Sequence, residues 1–152
     1  MRITILAAGM IVGGMSLFGA DSVKPASLYQ RLGGMPAIRA VIDDFVTRIL
    51  QDEKVAPFFA HAASSPENTA AYKARLADFV CQATGGPCQY TGADMVTAHK
   101  GRGVTEEAFN AVVADLVATL DKLQVPDQEK SQLLGLLAPM KPAIVQSKPA
   151  DR

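Results

Sequence analysis

Two histidines and two cysteines carry the most distinctive chemistry in this chain: His61, His99, Cys81 and Cys88. Two histidines exclude sites built from three or more imidazoles. The cysteines stand seven positions apart across Gly85-Gly86-Pro87, a spacing too wide for a zinc site. In an oxidising compartment we expect them to form a disulfide that pins the loop after a helix; two buried thiols are the alternative.

His99 follows Met95 by about one helical turn and precedes Gly101 and Gly103. A neutral imidazole on a short helix beside an apolar slot can ligate a haem iron, while its second nitrogen donates to a backbone carbonyl. A single histidine near a helix end is more commonly a surface or capping residue. Residue type and spacing therefore leave both interpretations open. The chain has no nucleophile elbow, phosphate loop or Cys-x-x-Cys-His haem attachment motif.

Composition limits the class of protein. The 152 residues are 49% hydrophobic and 20% charged, with 15 basic and 15 acidic side chains. This length and composition predict one globular domain. Balanced charge gives no electrostatic reason to expect binding to nucleic acid or to an anionic membrane surface.

The first twenty residues differ from the rest. Arg2 precedes an apolar run that ends in small residues at Ala20, as in a secretory signal peptide. Phe18 is bulky for the position three residues before a cut after Ala20, and an uncleaved membrane anchor is the alternative. We therefore predict a signal peptide or anchor at 1–20, a domain at 21–146, a loose tail at 147–152 and export to the periplasm.

Apolar residues recur at helical spacing almost throughout, which predicts an all-α protein. Ser27 and Gln30 form a capping box for a short first helix that ends at Gly33-Gly34. We then expect a helix from Pro36 to Leu50, an irregular segment over 52–67 and a helix over 68–84. A helical turn through Met95 and His99 and a long helix capped by Thr105 should follow. The last helix should run from Pro126 to Ile144, with a kink at Pro139 and with Leu136 facing inward.

Three stretches together resemble the group I truncated haemoglobins: Ser27-Leu28-Tyr29 with Leu32-Gly33-Gly34, the pair Phe58-Phe59, and Ala83 to Phe109 with its Gly85-Gly86-Pro87, Tyr90-Thr91-Gly92 and His99. The resemblance covers Ser27 to Val145. It implies a two-over-two helical sandwich around one b-type haem, iron protoporphyrin IX. It also makes His99 the proximal iron ligand and Lys73 the partner of a haem propionate. The implied pocket residues are Phe45, Val46, Phe59, Tyr72, Leu76, Phe79, Val80, Met95 and Phe109.

The distal side departs from the family pattern. Val46 stands where the family commonly has a tyrosine, and Leu76 stands where a glutamine is frequent. Without these donors, bound oxygen loses a hydrogen bond that slows its release. Tyr72 can substitute because its phenol donates; the alternative is that Tyr72 meets solvent at the pocket mouth.

Two residues are alternative sixth ligands of the iron. A deprotonated Lys73 can ligate, since burial near iron favours the neutral amine. His61 lies in the predicted irregular segment, where an exposed position is the more ordinary expectation.

The resemblance implies reversible binding of oxygen, carbon monoxide or nitric oxide. The alternatives are a haem enzyme (a nitric oxide dioxygenase served by a separate reductase, or a peroxidase), a periplasmic redox module with six-coordinate iron, and a globin fold without haem. Val46 and Leu76 disfavour the dioxygenase, because it requires long oxygen residence, and the intact His99 and Phe59 disfavour the haem-free fold.

Overall fold

The computed structural model describes residues 24–146, and all regular structure in that range is helical. The helices are α1 (Leu28–Arg31), α2 (Gly34–Gln51), α3 (Ala60–Ala63), α4 (Pro66–Ala83), α5 (Met95–His99), α6 (Glu106–Lys122), α7 (Asp127–Leu137) and α8 (Lys141–Ile144), with 3-10 turns at Ala56–Phe59 and Ala138–Met140. The predicted signal segment, 1–20, and the tail, 147–152, lie outside the described residues.

Side-chain caps fix where the helices begin. The Ser27–Gln30 capping box at α1 is formed as predicted. Ser65 accepts from the Asn68 amide at α4, and Thr105 accepts from the Ala108 amide at α6. Each cap satisfies a backbone N–H that a helix start leaves without an intrahelical partner.

Two of the expected elements were wrong. Residues 52–67 are not irregular, because a 3-10 turn and α3 lie within them. The last helix is not continuous: α7 ends at Leu137, and a 3-10 turn containing Pro139 separates it from α8. The predicted inward position of Leu136 is also wrong, since 38% of this side chain is exposed.

The helices form the expected two-over-two sandwich. Helix α2 packs against both α4 and α6 and buries five apolar residues. The buried core is completed by residues from five other segments: Val55; Ala77 and Cys81; Val104; Ala108, Leu116 and Leu120; and Leu133. Burial of this apolar surface is the main favourable contribution to folding.

A polar cluster joins α2 to α6 at the edge of this core. Asp44 Oδ2 accepts from Thr119 Oγ1 at 3.0 Å and from the Arg48 guanidinium at 3.3 Å, and Lys122 hydrogen-bonds the second oxygen. Hydrogen bonds from Lys122 and then from Thr119 and Arg48 lower the pKa of Asp44, against the opposing effect of burial. The cluster therefore holds an ionised carboxylate between the two helices.

Within residues 24–146, none of the helices combines the length and the hydropathy that a membrane crossing requires.

Candidate haem site

His99 is the last residue of the short helix α5. Asp94 caps that helix by accepting from the Thr97 amide at 3.0 Å. One turn of helix brings His99 Nδ1 to 2.8 Å from the Met95 carbonyl oxygen. Because a carbonyl only accepts, this contact places the ring proton on Nδ1 and leaves the lone pair of Nε2 available to a metal.

The predicted distal residues are apolar side chains of α2 and α4. Phe45 and Val46 are buried in the main core, and no part of Val46 is exposed. Leu76 and Val80 of α4 are partly buried and pack against that core. Neither Val46 nor Leu76 can donate a hydrogen bond, so the chemistry at their positions is purely apolar.

Tyr72 brings a phenol to this side of the molecule. Its ring makes an edge contact with Phe59, with 5.7 Å between the ring centroids. Burial raises the pKa of Tyr72 to about 12, although the charge of Arg102 opposes the shift. The phenol therefore keeps its proton at neutral pH and can act as a donor.

Lys73 and His61 lie in different surroundings. Lys73 Nζ is 3.1 Å from Asp43 Oδ1, so this cation bridges α4 to α2. His61 is exposed on α3. The structure thus gives Lys73 a carboxylate partner and leaves His61 in solvent.

The remaining predicted pocket residues stand outside the main core. Phe79, Met95 and Phe109 are partly buried, and none belongs to the core cluster of the described residues. Phe79 makes an edge contact with Tyr90 at 5.2 Å between ring centroids. Lys141 Nζ lies 5.7 Å from the centre of the Phe109 ring.

Two residues near the site were missed by reasoning from the sequence. The sequence motif that contains Tyr90 assigns this residue no role, and in the structure its ring joins the α4–α5 loop to Phe79. The sequence pattern likewise singles out the glycines on either side of Arg102 and not Arg102 itself, which donates to the Ala98 carbonyl at 2.6 Å. The Tyr90-Thr91-Gly92 motif is the sequence feature that could have identified Tyr90 as a residue with a structural role.

The residues present fit a haem group. An imidazole with Nδ1 already hydrogen-bonded offers iron its other nitrogen, and second-shell contacts of this kind orient metal-bound histidines. Helix α5 has no buried residue of its own, although it carries Met95 and Val96, and 59% of Val96 is exposed. A helix whose apolar residues are only partly covered by protein has surface left to pack against a flat apolar cofactor.

Comparison with known proteins agrees with this geometry. The sequence matches the bacterial-like globin family over residues 27–146. It is 38% identical over 121 residues to the group 1 truncated hemoglobin GlbN of Mycolicibacterium paratuberculosis, covering 80% of this chain and 85% of the relative. The crystal structure of Tetrahymena pyriformis truncated hemoglobin, Fe(III) form, superposes with a TM-score of 0.72 at 28% identity, covering 80% of this chain and all of that one.

A third comparison is with the 2/2 hemoglobin of a Synechococcus species, solved in the cyanomet state with covalently attached heme. It has a TM-score of 0.66 and 31% identity and covers 74% of this chain and 91% of that one. The fold and these matches define a haem-binding globin of the two-over-two type. The chain belongs to the bacterial-like globin family, in its group I truncated haemoglobin branch.

Proposed function

We propose that this protein reversibly binds a diatomic gas, with oxygen as the leading candidate, at a haem iron held by His99. The observation that carries the proposal is the 2.8 Å contact between His99 Nδ1 and the Met95 carbonyl, which leaves Nε2 to ligate. A haem group, when bound, supplies an iron with an open coordination position for a small ligand. The protein supplies the proximal imidazole, an apolar enclosure and a distal donor.

The apolar side chains around the site would exclude water. Phe45 and Val46 are buried, and Phe59 packs on the same core. A dry pocket strengthens any polar contact made inside it. Tyr72, protonated and packed against Phe59, is the residue we assign as donor to the bound gas.

The haem is proposed to be of b type, without a thioether link to the protein. Both cysteines of the chain are joined to each other, Cys81 to Cys88. Neither thiol is then available to a haem vinyl group. The similar Synechococcus protein carries covalently attached heme, so mass spectrometry of the denatured haem-loaded protein, which should give the mass of the chain without haem, tests this part of the proposal.

The absorption spectrum of the protein with added haem tests the proposal. It is recorded in the ferric and ferrous states, before and after carbon monoxide is added. We expect a sharp Soret band that shifts with carbon monoxide. In His99→Ala, ordered haem binding should be lost, because the iron loses its protein ligand. The matched control is His61→Ala, which removes an exposed imidazole and should leave the spectrum intact. An unchanged spectrum in His99→Ala, or loss of the band in the control, would contradict the assignment of His99.

The ferrous spectrum without gas also separates the two coordination states. A five-coordinate form supports gas binding at an open position. A six-coordinate form that resists carbon monoxide supports a redox module instead, and its disappearance in Lys73→Ala or His61→Ala identifies the sixth ligand. The ion pair between Lys73 and Asp43 favours the five-coordinate outcome, because a charged ammonium has no lone pair for iron.

We also propose that the protein is exported to the periplasm. The disulfide between Cys81 and Cys88 supports this location, since such bonds persist in oxidising compartments and are rare in the bacterial cytosol.

A further inference from the structure

The loop that joins α4 to α5, residues 84–94 and here called the bridge loop, is fastened back onto α4. The Cys81–Cys88 disulfide, with 5.8 Å between the Cα atoms, joins the end of α4 to the middle of this loop. Cys81 is fully buried and Cys88 is partly buried against the core. The disulfide therefore anchors the bridge loop to the rigid part of the molecule.

Tyr90 adds three contacts to the same connection. Its backbone N–H donates to Gln82 Oε1 at 2.7 Å, and its ring packs edge-on against Phe79. Its hydroxyl donates to the Ala93 carbonyl at 2.8 Å. A Cβ atom at Gly92 would lie 2.3 Å from that hydroxyl, so only glycine permits the tyrosine to fold over the loop.

These contacts reach the start of α5, the helix that carries His99. The last of them is to Ala93, which directly precedes Asp94, the cap of α5. On the other side of the helix, Gly103 N donates to Gln146 Oε1 at 2.8 Å, and Gln146 N donates to the Val104 carbonyl. Since α5 buries none of its own residues, its position is set by its two ends and by its packing on α8.

We propose that the Cys81–Cys88 disulfide and Tyr90 are positioning elements for His99. They fix the start of α5 relative to α4, and so fix the distance between the distal and proximal sides of the haem slot. This inference rests on the role proposed above for His99. It goes further by making the haem environment depend on the oxidation state of a disulfide that lies outside the pocket.

The proposal predicts a local effect on α5, and hydrogen–deuterium exchange measures it in the haem-loaded protein. In the double variant Cys81→Ala/Cys88→Ala, amide exchange over residues 89–99 should rise by about tenfold or more, with α6 unchanged. Tyr90→Leu should raise exchange over the same residues. Tyr90→Phe keeps the ring contact with Phe79 and loses only the hydroxyl contact, so its effect should be smaller.

Leu133→Ala is the control for ordinary destabilisation, because Leu133 is buried on α7 and belongs to the main core. It should raise exchange in the core helices without singling out residues 89–99. If the double cysteine variant gives the same pattern as Leu133→Ala, or no change over residues 89–99, the positioning role is refuted.

A second readout uses the ferrous, haem-loaded protein. The iron–histidine stretching band should shift or broaden in the double cysteine variant and in Tyr90→Leu, and should keep its position in Leu133→Ala. In the wild type, reduction of the disulfide by dithiothreitol adds two electrons and two protons to give two thiols, while the reagent closes to its cyclic disulfide. The band should change on reduction and return when oxidised glutathione re-forms the disulfide by thiol–disulfide exchange, giving two molecules of reduced glutathione. A band indifferent to both treatments would overturn the proposal.

The two readouts separate this inference from the proposed function. If His99→Ala retains the haem spectrum, the assignment of His99 fails whatever the exchange experiment shows. If His99 is the ligand and neither exchange nor the band responds to the disulfide, only the positioning role fails.

Discussion

Single residues decide how the distal pocket treats a ligand, and Tyr72 is the one whose effect is simplest to measure. Tyr72→Phe removes the hydroxyl and keeps the ring contact with Phe59. If Tyr72 donates to bound oxygen, its removal should speed oxygen dissociation about tenfold, the equivalent of one hydrogen bond of about 1.4 kcal/mol. Stopped-flow displacement of oxygen by carbon monoxide measures the rate. An unchanged rate would take Tyr72 out of this role.

Asp115 is a second residue with a measurable consequence, this time for stability. Its Oδ2 is buried and finds no hydrogen-bond partner among the described residues. Burial and then the nearby charge of Asp52 raise the pKa of Asp115, while Arg48 opposes the shift. A carboxyl group whose pKa is raised on folding costs stability at pH values above its unfolded pKa, and this cost disappears when both states are protonated.

Asp115→Asn should therefore raise the free energy of unfolding at pH 7, and the gain should shrink as the pH falls through the carboxyl range. Urea unfolding of the two proteins at pH 7 and at pH 3.5–4, near the unfolded pKa of about 3.9, measures both quantities. A variant less stable than its parent at pH 7 would show that the carboxylate makes a favourable contact that the structure does not contain.

At the scale of single residues, the sequence was informative about some positions and not about others. His99 alone was ambiguous, and its surrounding motifs made it a haem-ligand candidate. The role of Tyr90 was not predictable, because its partners Gln82 and Phe79 come close only when the bridge loop returns to α4. The ion pair of Lys73 with Asp43 likewise depends on how two helices pack.

At the scale of helices, periodicity was reliable where a helix was long, and capping residues located the starts of short and long helices alike. The predicted starts at Ser27 and Thr105 agree with the structure. The short elements were harder to predict: a 3-10 turn and one turn of α-helix over 56–63 contain too few residues to show a period. Where the structure has a break after Leu137, the sequence predicted a kink at Pro139. The predicted position is right, but the prediction underestimates the effect of the second proline, Pro142.

The end of α6 offers a prediction that needs no cofactor. Gln124, the second residue after this helix, has a φ of 55°, in the left-handed region that disfavours side chains with a Cβ atom. Gln124→Gly should stabilise the protein by about 1 kcal/mol, because glycine adopts this conformation without steric cost. Thermal unfolding of the haem-free protein checks it. Ala114→Gly, at an exposed position in the interior of α6, is the opposite control and should destabilise by about 1 kcal/mol. A destabilising Gln124→Gly would contradict the argument.

At the scale of the whole molecule, the fold class followed from helical periodicity, and the two-over-two arrangement followed from the resemblance. Periodicity alone predicted helices without saying which pairs pack. The structure shows α2 against both α4 and α6, joined at their edge by Asp44 and Thr119. Such pairings depend on contacts distant in sequence, which single-sequence patterns do not contain.

Export is the prediction that concerns the complete chain. Mass spectrometry of the periplasmic fraction should find a protein that begins near Asp21, with no free thiol before reduction and two afterwards. A full-length chain in the membrane fraction would instead support a retained anchor. Free thiols on both Cys81 and Cys88 in unreduced protein would contradict the oxidised location.

The buried core contains residues from α2, α4, α6 and α7 and none from α5. The helix that carries the proposed iron ligand is thus not part of the core that holds the other helices together. We therefore expect loss of the cofactor to disturb the His99 side of the molecule first and to leave the core of α2, α4, α6 and α7 in place.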